Sequence, residues 1–189
     1  MMGNSYILKK LKYNGFFMCQ LDAYSSYFVE DENISLSRIM RIALYQPDIP
    51  QNTGNIFRLA ACLGVSVDII EPAGFFFDDK RLQRSLMDYM DYLDYKRHVD
   101  WDAFYQWYKT HHYQLILLTT KSQKKYYEYK FKNNDVLLFG RESAGVPKEI
   151  HQCADEKLLI PMQKGLRSLN VSSAASMVTG EALRQLNSF

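Results

Sequence analysis

The sequence predicts an α/β fold with a mostly parallel sheet flanked by helices. From Met40 onward, short apolar runs alternate with segments whose apolar residues recur at helical spacing, which is the pattern of strand–helix–strand units. Two of the predicted strands, residues 136–139 and 158–161, stop in polar or glycine-rich loops that open into helices. Ligands of such sheets bind beyond the carboxyl ends of the strands, where helix N-termini expose backbone amides. The two loops therefore predict one shared pocket.

Five strands are predicted from apolar runs that end at turn residues. They cover residues 42–45, 65–70, 115–119, 136–139 and 158–161. The first helix is predicted to be capped by Asn52 or Thr53 and to stop at Gly64, and Asp78 or Asp79 is the predicted cap of the second. The later helices are predicted over residues 80–88, 101–108, 147–152 and 169–186.

Composition narrows the class of protein. The chain of 189 residues is 47% hydrophobic, which suits one domain with a real core. The net charge of +2 means that a nucleic-acid partner would need a local basic patch or a dimer. The three cysteines lack metal-site or disulfide spacing, which favours a reducing compartment. No apolar run reaches the roughly 20 residues of a membrane span, and no signal peptide pattern is present, so we expect a cytoplasmic protein with no membrane association.

Residues 1–39 differ from the rest of the chain. They mix aromatic and polar residues without a helical or strand period, and their charges cancel. We expect an N-terminal extension that is poorly ordered, or an accessory arm that touches RNA or a partner subunit. Met40 is then a candidate start codon, and residues 40–189 form the main domain.

Common nucleotide and catalytic motifs are absent. No G-x-G-x-x-G follows a strand and no G-x-x-x-x-G-K-[ST] occurs, which argues against dinucleotide and P-loop sites. The four histidines lack the i, i+4 pairing of a zinc-protease helix, and there is no G-x-S-x-G. We therefore expect no metal site.

Three polar segments that open helices remain: residues 52–58, 140–145 and 164–173. Each alone is typical of an ordinary capped loop. Arg58 alone suits a surface or interface salt bridge, and Glu142 alone suits the positive end of a helix dipole.

Together and in this order, these segments resemble the SPOUT superfamily of knotted RNA methyltransferases. The residues that carry the resemblance are Asn52–Arg58, Leu137–Pro147, Ile160–Met162 and Ser168–Ser172, with residues 45–55 and 70–82 flanking the first. The flanking residues are similar to those of the small, knot-only enzymes that methylate the ribose 2′-oxygen of tRNA nucleotide 34. The resemblance covers residues 40–189 and implies a deep C-terminal trefoil knot, which is otherwise rare.

The resemblance implies S-adenosylmethionine as the cofactor, held in the knot by backbone groups of three loops. The matching positions are Leu118, Gly140, Ile160, Ser168 and Leu169. Their types suit this role, because aliphatic side chains can wall an adenine and glycine lets backbone come close.

The resemblance also implies an attack of a ribose hydroxyl on the methyl group without a metal. Arg58, Asn170 and Ser172 match the catalytic positions. An arginine stays charged in proteins, so we expect Arg58 to position the RNA and stabilise charge rather than act as a base. Gly180 stands where some relatives have tyrosine, and Arg141 where some have proline.

The RNA partner is expected to be the tRNA anticodon stem-loop, bound by a homodimer. The candidate contacts are Asn52, Arg58, Lys121, Lys124 and Lys125. Residues 121–132 interleave cations and tyrosines, which suits a single-stranded RNA surface or equally a solvated loop with buried tyrosines. Two alternative functions stay open: 2′-O-methylation of another tRNA or rRNA position, and a cofactor- or RNA-binding protein without catalysis.

Overall fold

A computed structural model describes residues 40–77 and 80–188. Within these residues, six parallel strands form one sheet in the order β3-β2-β1-β5-β4-β6. The predicted α/β class and parallel sheet are confirmed, while the knot stays an implication of the resemblance. The strands are β1 Arg41–Tyr45, β2 Ser66–Ile70, β3 Tyr95–His98, β4 Gln114–Leu118, β5 Asp135–Phe139 and β6 Glu156–Leu158.

Five α-helices connect and follow these strands in the described part of the chain. They are α1 Pro50–Leu63, α2 Lys80–Leu86, α3 Trp101–Thr110, α4 Lys148–Cys153 and α5 Val171–Leu186, with 3₁₀ turns at Met87–Tyr92 and Tyr126–Glu128. All five were predicted, with shifts of a few residues at their ends. The predicted caps at Asp78 or Asp79, and the predicted extension over residues 1–39, lie outside the described residues.

The prediction that Asn52 or Thr53 caps α1 is wrong. The cap residue is Ile49, which makes no side-chain hydrogen bond, and the helix begins at Pro50. Proline suits the first turn of a helix because its missing N–H would have no partner there. Asn52 and Thr53 lie buried inside the first turn, which leaves the Asn52 amide free for a tertiary contact.

The sequence did not predict β3. Three of its four residues are exposed and it forms the edge of the sheet beside β2, so it has none of the apolar character of a buried strand. The last strand was also predicted too late, at 158–161. β6 ends at Leu158, where it pairs with Leu118 of β4, and the chain beyond it lines a cavity.

The core consists of two apolar layers, one on each face of the sheet. Along β1, Ile42 and Leu44 face the layer that includes α1, α2 and α5. Ala43 and Tyr45 face the layer formed with α3 and α4. This alternation follows from the two-residue period of a strand. Both faces are therefore covered, and the strand ends remain as the place for a ligand. No helix in residues 40–77 or 80–188 is long and apolar enough to cross a membrane.

Candidate functional site

A cavity of about 550 Å³ lies beyond the carboxyl ends of β4, β5 and β6. Its walls come from residues 117–121 after β4, residues 139–146 after β5, and the segment between β6 and α5, and it reaches Asn52 in α1. The predicted shared pocket is therefore confirmed, with a third loop added. Its volume lies in the usual range for a small-molecule site.

The loop after β5 closes tightly on itself. Backbone N–H groups of Arg141 and Gly145 donate to each other's carbonyl oxygens at 3.0 and 2.8 Å. A Cβ atom added to Gly140 would lie 2.6 Å from the carbonyl carbon of Gly145, a distance that real side chains do not reach. Gly145 has φ +69°, which favours glycine. Glycine at position 140 is thus required by the loop itself, in addition to any ligand.

Asp48 fastens this loop to the segment between β1 and α1. Its carboxylate accepts from Arg141 Nη2 at 2.7 Å and from Nε at 3.2 Å. It also accepts from the backbone N–H and hydroxyl of Ser143. The Arg141 hydrogen bond, first among several causes, lowers the pKa of Asp48. Arg141, where some relatives have proline, therefore has a structural partner in this chain.

Glu142 ties the same loop to α1. Its Oε2 accepts from the backbone N–H of Asp48 at 2.9 Å, and its Oε1 accepts from Asn52 Nδ2 at 3.0 Å. The residue type of Glu142 suits the positive end of a helix, and its carboxylate does lie at the start of one. That helix is α1. Glu142 also fixes which way the Asn52 amide points, because Nδ2 must face the carboxylate.

Asn52 and Asn170 join the first helix to the last. Asn170 Nδ2 donates to Asn52 Oδ1 at 2.9 Å. Asn170 Oδ1 accepts from the backbone N–H groups of Ser172 and Ser173 at 2.8 and 3.3 Å, and from the Ser172 hydroxyl at 2.6 Å. Asn170 is thus the N-cap of α5. Its amide is held at both ends at the wall of the cavity.

Most of the predicted site residues meet at this cavity. Its lining includes all five predicted cofactor residues and three of the other candidates: Leu118, Gly140, Ile160, Ser168, Leu169, Asn52, Lys121 and Asn170. Ser172 does not line the cavity, but its hydroxyl donates a hydrogen bond to Asn170, which does. These placements make the assigned roles possible, and the roles themselves stay predictions.

Arg58 does not line the cavity of its own chain. It is exposed on α1, and its guanidinium carbon lies 4.9 Å from the centre of the Tyr89 ring. Its Nη2 is 3.5 Å from the Tyr89 hydroxyl. The positive group is therefore held at the surface by an aromatic ring.

The lysine- and tyrosine-rich segment resembles a solvated loop more than a stacking surface. Lys124 pairs with Glu156 at 3.1 Å and Lys125 with Glu128 at 3.1 Å. Tyr129 is buried, and its hydroxyl donates to Asp135. Tyr127, by contrast, is half exposed. Exposed ion pairs of this kind are weak, so both lysines can still turn toward RNA.

Three residues of the site were not among the predicted ones: Asp48, Glu142 as a bridge, and His151. His151 lies in α4 and lines the cavity. Burial, followed by the charges of Lys121 and Lys157, lowers its pKa. The only signal in the sequence was that Asp48 and Glu142 lie in loops that follow strands, and His151, which lies inside a helix, had no such signal.

Comparison with known proteins gives concordant results. Residues 39–180 match the SpoU rRNA Methylase family. A tRNA (cytidine(34)-2′-O)-methyltransferase of Beijerinckia indica subsp. indica is 52% identical over 145 residues, which cover 77% of this chain and 91% of the relative. A similar protein of the same name from Escherichia coli K12 is 43% identical over 150 residues, covering 78% of this chain and 94% of that protein.

Solved structures agree with the sequence comparisons. One described as "Structural insights into the 2-OH methylation of C/U34 on tRNA" superposes with a TM-score of 0.76 at 35% identity, covering 81% of this chain and 99% of that one. An AdoMet-bound rRNA methyltransferase from Sinorhizobium meliloti superposes with a TM-score of 0.73 at 25% identity, covering 78% of this chain and 57% of that one. The family match spans most of the chain and the fold agrees with it. This chain therefore belongs to the SpoU rRNA methylase family of SPOUT methyltransferases.

Proposed function

We propose that this chain transfers a methyl group from S-adenosylmethionine to the ribose 2′-hydroxyl of nucleotide 34 in tRNA. The observation that carries the proposal is a near full-length match. At 52% identity the alignment covers 91% of a relative with this named activity, and most of the residues that the activity would need line one cavity.

The cavity suits the proposed cofactor. Leu118, Ile160 and Leu169 offer apolar surface for a purine, and Ser168 and the backbone of the loop after β5 offer polar groups. When bound there, S-adenosylmethionine would supply a methyl group already activated by its sulfonium charge. The protein then has to bind, orient and help to remove a proton from the acceptor hydroxyl.

The two asparagines are suited to orienting the acceptor ribose. Asn52 is held by Glu142 and Asn170 is held by the start of α5, so neither amide has to be ordered when RNA binds. Such preorganisation favours reaction because orientation is fixed in advance. In this proposal Ser172 acts through Asn170 and is a positioning residue.

Arg58 is proposed to contact the RNA rather than the cofactor. Its guanidinium is at the surface and only weakly held, by one long hydrogen bond of 3.5 Å and a ring. A phosphate would make shorter, charge-assisted hydrogen bonds to the same group. Arg58 would then leave Tyr89 and stabilise charge near the reacting ribose.

Ribosomal RNA is the second candidate substrate, because the family description names it. Sequence identity argues against it. The relatives named for tRNA nucleotide 34 are 52% and 43% identical to this chain, whereas the rRNA methyltransferase from Sinorhizobium meliloti is 25% identical. A binding protein without catalysis is the third candidate, and the presence of Arg58, Asn170 and Ser172 argues against that. We also propose a homodimer, which would double the basic surface of a chain with net charge +2, and a cytoplasmic location beside the tRNA.

An anticodon stem-loop RNA tests the proposal directly. The full-length chain is incubated with radiolabelled S-adenosylmethionine and either the natural RNA or the same RNA with 2′-deoxyribose at nucleotide 34. Transfer to the first RNA alone is expected. Equal transfer to both would place the methyl group elsewhere.

A further inference from the structure

Three basic side chains form a cluster at one end of the cavity, which we call the basic corner: Lys121, His151 and Lys157. Lys121 follows β4 and His151 lies in α4, and both line the cavity. Lys157 lies in β6 beside Leu117 of β4. Leu117 belongs to the apolar layer that also contains Ile150 of α4, so Lys157 points toward the helix that carries His151.

The three groups lie close enough to influence one another. The charges of Lys121 and Lys157, after burial, lower the pKa of His151. Both ammonium groups therefore lie within the range over which a charge acts on the imidazole.

None of the three forms an ion pair with another residue in the described ranges. The nearby acids already have partners. Glu142 accepts from Asp48 and Asn52, and Glu156 pairs with Lys124.

Two further acids, Asp155 and Glu149, interact with other groups. Asp155 accepts from the backbone N–H of Leu115 at 2.7 Å and lies 3.5 Å from Lys109. Glu149, in the first turn of α4, interacts with Tyr45 instead. The basic corner therefore brings together two ammonium groups and an imidazole that have no acidic partner in the described ranges, so an anion there could make charge-assisted hydrogen bonds to them.

We propose that the basic corner binds an oxyanion of a ligand in the cavity. The proposal rests on the proposed function, which supplies two oxyanions: the carboxylate of the methyl donor and a backbone phosphate of the RNA. Lysine and histidine N–H groups make charge-assisted hydrogen bonds to either one. His151 would be a binding residue of this family member that neither its family motifs nor its spacing in the sequence indicated.

Binding measurements separate the two sources. The full-length wild-type chain and the double variant Lys121→Gln/His151→Gln are titrated calorimetrically with S-adenosylhomocysteine and with 5′-methylthioadenosine, which lacks the carboxylate. Binding of an anticodon stem-loop RNA is measured at several salt concentrations. Lys148→Gln is the matched control, since it removes one positive charge from exposed surface of α4.

A carboxylate site predicts weaker binding of S-adenosylhomocysteine, by about tenfold or more, with 5′-methylthioadenosine unchanged. A phosphate site predicts weaker RNA binding. The slope of the logarithm of the binding constant against the logarithm of the salt concentration should then be shallower by about one unit for each lost contact. Either result supports the basic corner, and Lys148→Gln should resemble wild type in both.

Two results would overturn the proposal. One is wild-type affinity of the double variant for all three ligands. The other is an equal loss of affinity for S-adenosylhomocysteine and 5′-methylthioadenosine, which would indicate a structural role. In that case His151→Arg in place of His151→Gln, which keeps a positive group at this position, should fail to recover binding. A wild-type chain that binds neither S-adenosylhomocysteine nor RNA would instead count against the proposed function.

Discussion

Asn170 donates a hydrogen bond from Nδ2 to Oδ1 of Asn52 at 2.9 Å, although the two residues lie 118 positions apart in the chain. The bond joins the start of the last helix to the first turn of the first helix at the wall of the cavity. Asn170 also caps α5 through its Oδ1. One side chain thus serves both the stability of a helix and the geometry of the site, and substitutions can separate the two.

Asn170→Asp and Asn170→Ala form a pair that distinguishes these roles. Alanine removes the cap and should lower the free energy of unfolding by about 1 kcal/mol. Aspartate keeps an oxygen for the cap but loses the donor to Asn52, so it should fold like wild type. Both should slow methyl transfer about tenfold or more, since both remove one of the two hydrogen bonds that orient the Asn52 amide.

Urea unfolding and transfer rates measure the two effects independently. Full transfer activity in Asn170→Asp would show that the bond to Asn52 has no part in the reaction.

Gly140→Ala should disrupt the loop after β5. The new Cβ would lie 2.6 Å from the backbone of Gly145, so the loop must open, at a cost of about 1–3 kcal/mol. We expect cofactor affinity to fall by tenfold or more, measured by calorimetry.

Gly180→Ala is the matched control for that substitution. Gly180 lies inside α5, and an added Cβ would meet nothing within 4 Å. Alanine should raise stability by up to about 1 kcal/mol, because glycine is a poor helix former. Unchanged cofactor binding in Gly140→Ala would contradict the role that we give to the closed loop.

Arg58→Ala should reduce the rate of transfer severely, by about a hundredfold, and leave cofactor affinity nearly unchanged. The reason is that Arg58 lies outside the cavity of its chain, while the proposed contact is to RNA charge near the reaction. Single-turnover kinetics and calorimetry provide the two readouts.

Tyr89→Phe serves as the control for Arg58. It keeps the ring that Arg58 packs on and removes only a hydrogen bond of 3.5 Å, so its kinetics should resemble wild type. Collapse of cofactor binding in Arg58→Ala would show that the assigned role is wrong.

Asp135 should make stability depend on pH. Burial raises its pKa to about 6 from an ordinary value of 3.8. Between these values the folded chain holds a proton that the unfolded chain has released. The contribution of Asp135 to the free energy of unfolding therefore falls as pH rises from about 4 to 6.

Asp135→Asn should remove this decline. The difference in stability between variant and wild type should shift in favour of the variant by on the order of 1 kcal/mol between pH 4 and pH 7. Urea titrations at both pH values measure it, and a difference that is the same at both would contradict a raised pKa.

The sequence predicted the elements whose residues are buried on both faces. β1 and β5 are continuous apolar runs, and the described structure has them within a residue of the predicted bounds. β3 could not be found this way, since three of its four side chains are exposed and it lies at the edge of the sheet.

The same limit applies to the site. The strand-end loops were predictable because each follows an apolar run. Asp48 and Glu142 were not, since a carboxylate in a loop has no period, and the contacts of Asp48 with Arg141 and Glu142 span 93 and 94 positions. Only the fold brings such residues together.

Mapping the methyl group on a full-length tRNA tests the central claim most directly. Unmodified tRNA is treated with the protein and S-adenosylmethionine, digested with nuclease, and analysed by mass spectrometry. The account predicts one added methyl group on the ribose of nucleotide 34, formed about tenfold or more slowly when Asn170→Asp replaces the wild-type chain. A methyl group at any other nucleotide, or no transfer by a chain that binds both cofactor and tRNA, would contradict it.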